Sequence, residues 1–343
     1  MFNIDNITRK NIRELTPYSS ARNEYTGSAI ILLDANENPY NTDLNRYPDP
    51  YQLELKKTIS DIKGVDIEQL FIGNGSDEAI DLLFRAFCEP REDKAYIFPP
   101  TYGMYKVSAK INNVEVIEIK LNENFHLPSI EVTKENLISK GLLFICSPNN
   151  PTGNSHPLSS IKEIANNFHG LVIVDEAYID FSDSISAIRL LPDTPNLVVL
   201  QTLSKAYGLA GLRLGITYAN ENIIRVLNKI KPPYNINSLS QHKGIEALKN
   251  KANVENQISS IIAQRIKLMN VLKKIKSIKQ VYPSEANFIL AIFENPEIVF
   301  KELQNKGIII RNRTSQIPGG LRITVGTPNQ NIKLIQALKA IAS

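Results

Sequence analysis

Residues 196–215 read "NLVVLQTLSKAYGLAGLRLG". The run Leu197–Leu200 is apolar at every position. A strand with one wet face alternates, so an unbroken apolar run points to a strand covered on both faces. Beyond it lies a loop of small and apolar residues, with glycines at 208, 211 and 215, one lysine, Lys205, and an arginine, Arg213. Lysine is ordinarily a solvated surface residue, and burial penalises its charge. Its place here needs a chemical reason.

Outward from that stretch the same grammar repeats. "QLFIGNG" (69–75), "KAYIF" (94–98), "VEVIEI" (114–119), "LLFICSP" (142–148), "LVIVDEAY" (171–178) and "LRLGITYA" (212–219) read as strands. Helical spacing marks "YQLELKKTISDIKG" (51–64), "SDEAIDLLFRAF" (76–87), "TYGMYKVSAKI" (101–111) and "LSSIKEIANNF" (158–168). Strand and helix in alternation predict an α/β fold with a mainly parallel sheet. Helical spacing then dominates 221–275, and a tail follows with strands "FILAIF" (288–293), "GIIIR" (307–311) and "LRITVG" (321–326) and a closing helix "NIKLIQALKAIA" (331–342). This tail reads as a smaller α+β unit. The expected division is an Asn-rich N-terminal arm over 1–45 that packs with the small domain, a large domain over 46–240, and the small C-terminal domain over 241–343.

Composition narrows the function classes. The chain has 343 residues, 43% hydrophobic and 22% charged, with a net charge of +4. That is a soluble globular composition of about two domains. Its basic residues are scattered, so no nucleic-acid surface is expected. The cluster Lys273–Lys279 reads as the wet face of a helix. Cys88 and Cys146 stand in separate apolar segments and read as free thiols of a reducing, cytoplasmic compartment. No stretch approaches a membrane span. Histidines 126, 156, 169 and 242 are far apart, and no metal site is expected.

In open α/β sheets ligands gather beyond the carboxyl ends of the strands. After "FIG" comes Asn74-Gly75-Ser76-Asp77, a tight turn into a helix whose free N–H groups suit a phosphate. The same residues also serve as an ordinary helix cap. After "FICSP" comes "NNPTG", with Asn150; after "VIV" comes "DEAY", with Asp175 and Tyr178; after "VVLQT" comes Lys205, then Arg213. Each alone admits a plainer reading as a turn, cap or surface loop.

Together they supply an anion cradle, an amide, a carboxylate with a phenol, and a lysine near an arginine. A phosphorylated, electron-poor aromatic aldehyde uses all of them, which points to pyridoxal 5′-phosphate. A lysine with its ordinary pKa of about 10.4 is neutral in roughly one molecule per few thousand at pH 7. Burial and nearby positive charge lower that pKa and free the amine to attack an aldehyde. Asp175 against the ring nitrogen keeps the ring protonated, and Asn150 and Tyr178 bond its phenolic oxygen. The Gly75–Asp77 turn and Arg213 hold the phosphate, and Tyr102, in "PPTYGMY" (99–105), stacks on the ring.

These residues, with "LTPYSSAR" (15–22), "DANENPY" (34–40), "RYPDP" (46–50), "CSPNNPTGN" (146–154), "IVDEAYIDF" (173–181), "SEANFIL" (284–290), "GIIIRNR" (307–313) and "LRITVGTPNQN" (321–331), carry a resemblance. The chain resembles the fold-type I, class II pyridoxal-phosphate-dependent aminotransferases, and within them the histidinol-phosphate aminotransferases. The match runs in order from residue 15 to beyond 330.

The resemblance implies a three-layer α/β/α large domain with a smaller α+β domain. It also implies transfer of an amino group between L-histidinol phosphate and 2-oxoglutarate, in histidine biosynthesis. In that family Lys205 bonds the cofactor and carries the proton between substrate Cα and cofactor C4′. Ser76, Asp77, Thr202, Ser204 and Arg213 hold the cofactor phosphate. Tyr47 reaches the phosphate of a neighbouring subunit, which implies a homodimer. Arg311 and Arg322 bind the acidic end of the substrate, while Tyr18 and Asn36 line the substrate side.

Two departures stand out. Thr202 replaces a frequent serine but keeps the hydroxyl, and the segment "NRTSQIPGGL" (312–321) is compact and adds Arg313. Threonine-phosphate decarboxylases and aromatic amino-acid aminotransferases share most of these motifs and remain alternatives. A non-catalytic cofactor-binding protein would lose nothing with Lys205.

Overall fold

Seven strands form one sheet in the computed structural model, which describes residues 3–18 and 31–342. They are β1 (Leu70–Asn74), β2 (Lys94–Ile97), β3 (Glu115–Glu118), β4 (Gly141–Cys146), β5 (Leu171–Asp175), β6 (Leu197–Thr202) and β7 (Leu214–Ala219), in the order β1-β7-β6-β5-β4-β2-β3. The pairs from β3 through β6 are parallel, and β7 runs antiparallel to both β6 and β1. Every residue of β4, β5, β6 and β7 is buried.

The unbroken apolar runs follow from this burial. Alternate residues divide between two cores: Leu142, Phe144, Ile173, Val198 and Leu200 face one, Leu143, Ile145, Val172, Val174 and Val199 the other. Helix Ser76–Phe87 covers the first core with Ile80, Leu83, Phe84 and Phe87. Helix Leu158–Asn166 covers the second with Ile161, Ile164 and Ala165. The result is helix, sheet, helix in three layers.

A second sheet is antiparallel throughout: β8 (Ile278–Val281), β9 (Phe288–Phe293), β10 (Arg311–Asn312) and β11 (Gly320–Thr324), in the order β10-β11-β9-β8. Its core draws Leu268 and Leu272 from helix Lys251–Leu272, Leu303 from helix Pro296–Asn305 and Leu338 from helix Pro328–Ala342. The two sheets meet at the "NNPTG" loop. Glu285, just before β9, donates its N–H to Gly153 O (2.7 Å) and accepts the hydroxyls of Ser155 (2.9 Å), Ser182 and Ser184 (3.0 Å). Arg265 donates to the carbonyls of Phe181 (3.0 Å) and Ala286 (2.9 Å).

Several expectations change. The N-terminal segment packs on the large sheet over its described start: Ile7 joins the core under helix Ser76–Phe87, and the Arg9 N–H donates to Ala86 O at 2.9 Å. A boundary at 240 cuts helix Ser238–Lys249, whose Ile245 and Leu248 belong to a core of the large sheet. The Lys273–Lys279 cluster starts after the last helical residue, Leu272, and its lysines lie exposed on a turn and on β8. The apolar run Gly307–Arg311 pairs as strand only from Arg311 onward.

Candidate active site

The ends of β1, β4, β5 and β6 converge on a cavity of about 170 Å³. Its cradle begins at Gly75, which ends β1 with φ +79° and lets helix Ser76–Phe87 start at once. A Cβ at Gly75 would fall 2.5 Å from Nη2 of Arg213. Arg213 itself takes a left-handed φ of 55°, accepts the Gly75 N–H at 2.6 Å and sets its guanidinium 3.3 Å from Asp77 Oδ2. Gly215 permits the approach, because a Cβ there would sit 2.3 Å from Ser76 N.

The Thr202 hydroxyl donates to Leu214 O at 3.0 Å and accepts the Ser204 N–H at 3.1 Å. Helix N–H groups, two hydroxyls and a guanidinium thus surround one end of the cavity. That is the donor set of a phosphate site.

Asp175 closes β5 at 3% exposure. Burial pushes its pKa up, while hydrogen bonds from Tyr105 and the Ala177 N–H pull it down. Tyr105 donates to Oδ2 at 2.6 Å, and Ala177 N–H to Oδ1 at 3.1 Å. Beside it, Asn150 donates its amide to the Tyr178 hydroxyl at 3.2 Å. Arg322 from β11 donates to Asn150 Oδ1 at 2.5 Å, which fixes which way the amide points.

Tyr102 lines the same cavity and donates to Asp77 Oδ1 at 3.1 Å. Lys205 stands partly buried, its Nζ 5.8 Å from the Tyr178 ring centroid. Its pKa is lowered, first by burial and then by Arg322, with Asp175 and Asp77 opposing. This donor set could hold a flat pyridine aldehyde with a phosphate: the cradle would take the phosphate, and a carboxylate, an amide with a phenol, and a lysine stand around the rest of the cavity.

Ser76, Asp77, Tyr102, Asn150, Asp175, Tyr178, Thr202, Ser204, Lys205 and Arg213 all line this cavity. Three other expected residues stand apart in the single chain. Tyr47, half exposed, stacks on Tyr234 (4.4 Å, 12°) and shares a surface hollow with Asn36. Tyr18 is 70% exposed beside Tyr51 and Lys231.

Arg311 and Arg322 face each other across β10 and β11, and the Arg313 N–H donates to Gly320 O at 2.9 Å, so Arg313 continues the ribbon. The Nε atoms of Arg313 and Arg322 are buried without a hydrogen-bond partner, and among the described residues no carboxylate pairs with any of the three arginines. Burial, then Arg322 and Arg311, push the pKa of Arg313 down to about 10. Such a group of unpaired cations is suited to an anion of more than one charge.

Sequence reasoning missed Tyr105. Its signal was the three-residue spacing from Tyr102 across the start of helix Met104–Ile111, which sets the two rings edge to face at 5.4 Å.

The family described as aminotransferase class I and II matches residues 21–338. The histidinol-phosphate aminotransferase of Parabacteroides distasonis is 48% identical over 341 residues, covering 99% of both chains. That of Flavobacterium johnsoniae is 49% identical over 346 residues, again with 99% of each covered. Among solved structures, the histidinol-phosphate aminotransferase from Clostridium acetobutylicum superposes with a TM-score of 0.79 at 26% identity, covering 88% of this chain and 91% of that one. The enzyme from Sinorhizobium meliloti in complex with pyridoxal-5′-phosphate gives 0.79 at 21%, covering 88% and 83%. With a match over nearly its whole length and a fold shared with solved members, the chain is an aminotransferase and belongs to the class I and II family.

Proposed function

We propose that the chain transfers the amino group of L-histidinol phosphate to 2-oxoglutarate, giving imidazole acetol phosphate and L-glutamate, as a step of L-histidine biosynthesis. The observation that carries the substrate is the ribbon of guanidiniums at Arg311, Arg313 and Arg322, which no carboxylate pairs among the described residues and which Arg322 ties to the cofactor cavity through Asn150. A phosphate monoester is the dianion it suits. The names of the relatives at 48–49% identity support the same choice.

When bound, pyridoxal 5′-phosphate supplies the electron sink that makes the proton on the substrate α-carbon removable. Ser76, Asp77, Thr202, Ser204 and Arg213 would hold its phosphate, Tyr102 would cover its ring, Asp175 would take its nitrogen and Asn150 with Tyr178 its phenolic oxygen. Lys205, shifted toward its neutral form, anchors the cofactor and carries the α-proton on Nζ. Arg311 and Arg322 grip the acidic end of either substrate.

The working unit in this reading is a homodimer. Leu44, Tyr47 and Leu239 are exposed around one hollow, a surface suited to a second copy. Tyr47 then reaches the neighbouring cavity, and Tyr18 and Asn36 approach substrate when the chains pair. Two buried free thiols support a cytoplasmic setting, and no described helix is long and apolar enough to cross a membrane.

A substrate panel tests the reaction. Histidinol phosphate with 2-oxoglutarate should give the highest kcat/KM against threonine phosphate, tyrosine and phenylalanine. Carbon dioxide release from threonine phosphate with no need for a keto acid would replace the proposal with a decarboxylase.

A further inference from the structure

The roles above leave Tyr105 unused. Its side chain is wholly buried, with the ring stacked on Phe144 at 4.6 Å and its hydroxyl 2.6 Å from Asp175 Oδ2. It does not line the cavity, whereas Asp175 does. The phenol therefore reaches a ligand only through that carboxylate.

We propose that Tyr105 is a positioning residue that holds Asp175 ionised and aimed, so that the proton shared with the cofactor ring nitrogen stays on the ring. The inference rests on the reading that the ring nitrogen meets Asp175.

The argument is electrostatic. A carboxylate in a dry site grows more basic unless donors stabilise its charge. Asp175 has two such bonds, one to each oxygen: the Tyr105 hydroxyl and the Ala177 N–H. The other groups that bear on it act at longer range. Asp77, from the cradle, makes it more basic and Lys205 makes it less so. Cys146, on the neighbouring strand and paired with Asp175 in register, stays a thiol because burial raises its pKa. Tyr178 likewise keeps its proton, its pKa raised chiefly by burial.

Burial, reinforced by Asp175, also holds the proton on Tyr105, so the phenol is a standing donor. Without that hydroxyl, Asp175 would keep one hydrogen bond in an apolar site, and the shared proton would move from ring nitrogen toward carboxylate. The ring of Tyr105 fills space between Phe144 and Tyr102 as well, a task that phenylalanine performs equally.

The test uses Tyr105→Phe, Asp175→Asn and the double variant of the full-length protein. Two quantities are read without substrate: the affinity of cofactor-free protein for pyridoxal phosphate, and the pH midpoint of the bound cofactor's visible absorbance. Tyr105→Phe should weaken binding by about tenfold and raise the midpoint by roughly half a unit or more, the scale of one hydrogen bond to a charged group. In the Asp175→Asn background the second substitution should move neither.

A fluorinated tyrosine at 105, a stronger donor of the same shape, should lower the midpoint, and it keeps the question answerable if the phenylalanine variant folds poorly. A midpoint moved by Asp175→Asn but not by either change at 105 overturns the inference alone, as does an equal shift with and without Asp175. A midpoint that Asp175→Asn leaves in place overturns the cofactor placement, and this inference with it.

Discussion

The cofactor cavity and the arginine ribbon are built by opposite means. Asp175 and Thr202 end strands buried at every position, and Lys205 and Arg213 follow in the loop that links β6 to β7. Backbone register fixes where each stands, and the side chains of Asp77, Thr202, Ser204 and Arg213 each have a hydrogen-bond partner within the cradle. The ribbon is a two-residue edge strand and the strand it pairs with, with Arg311 exposed and two buried Nε atoms unpartnered. A site whose lining is set almost wholly by one chain's backbone suits a resident group. An incomplete, highly charged one suits a visitor that brings its own charge. The following experiments break or sharpen that contrast.

The largest effect belongs to the resident side. Lys205→Ala should reduce turnover by at least about a thousandfold, since both the covalent anchor and the proton carrier go with it. Borohydride reduction followed by peptide mapping should tag Lys205 in the parent protein and no lysine in the variant. A tag elsewhere would mean that the cavity is not where the cofactor binds.

Arg322→Gln tests the junction of the two regions. It should cut kcat/KM for histidinol phosphate by about ten- to a hundredfold, as for a lost hydrogen bond to a charged group, and change cofactor affinity far less. The same variant has a pH signature. Burial lowers the Lys205 pKa most, and Arg322 is the next contributor. A lowered pKa means that the folded protein holds the lysine proton less tightly than the unfolded chain does. Stability contributed by this group therefore rises with pH through the window that ends at the ordinary lysine value. Removing Arg322 raises the folded pKa, so the pH at which cofactor-free protein captures pyridoxal phosphate fastest should move upward. An unmoved capture profile would show that Arg322 does not bear on Lys205.

What the sequence made legible follows the same line. Strands β4 to β7 could be read because burial on both faces leaves no alternation, and the residues after them could be named because sheet geometry gathers strand ends. Tyr105 escaped because a tyrosine inside an amphipathic helix reads as core, and its hydrogen bond spans seventy positions of sequence. Helical spacing showed that Ser238–Lys249 buries a face but not which sheet it covers, hence the misplaced boundary at 240. The strand Ile278–Val281 is four residues long beside a lysine cluster, too short for its alternation to stand out. Tyr47, Asn36 and Tyr18 came from resemblance alone, and the fold of one chain does not bring them to the cavity.

Tyr47 carries the next smaller effect. In the dimer reading, Tyr47→Phe removes one hydroxyl from a phosphate already held by the cradle, so cofactor affinity should fall only severalfold, by about 1 kcal/mol. Co-expression gives the sharper result. If each site takes Tyr47 from its partner, a heterodimer of a Lys205→Ala chain and a Tyr47→Ala chain holds one site free of both lesions. Activity restored on mixing would support sharing; no restoration would confine Tyr47 to its own chain.

Arg313 carries the smallest expected change and the finest test of the ribbon. It lies two residues beyond Arg311 and opposite Gly320, so it extends the positive face without contacting the cavity. Its pKa is pushed down first by burial and then by the neighbouring charges of Arg322 and Arg311. Arg313→Gln should relieve that repulsion and raise the thermal midpoint of the protein in phosphate-free buffer. In the same variant KM for histidinol phosphate should rise by about three- to tenfold, an effect of roughly 1 kcal/mol on a partly solvated charge, with kcat held. A gain in stability with unchanged KM would leave Arg311 and Arg322 as the whole of the grip; loss of stability would mean that Arg313 is already paired in solution and that the ribbon is less of an open site than its geometry suggests.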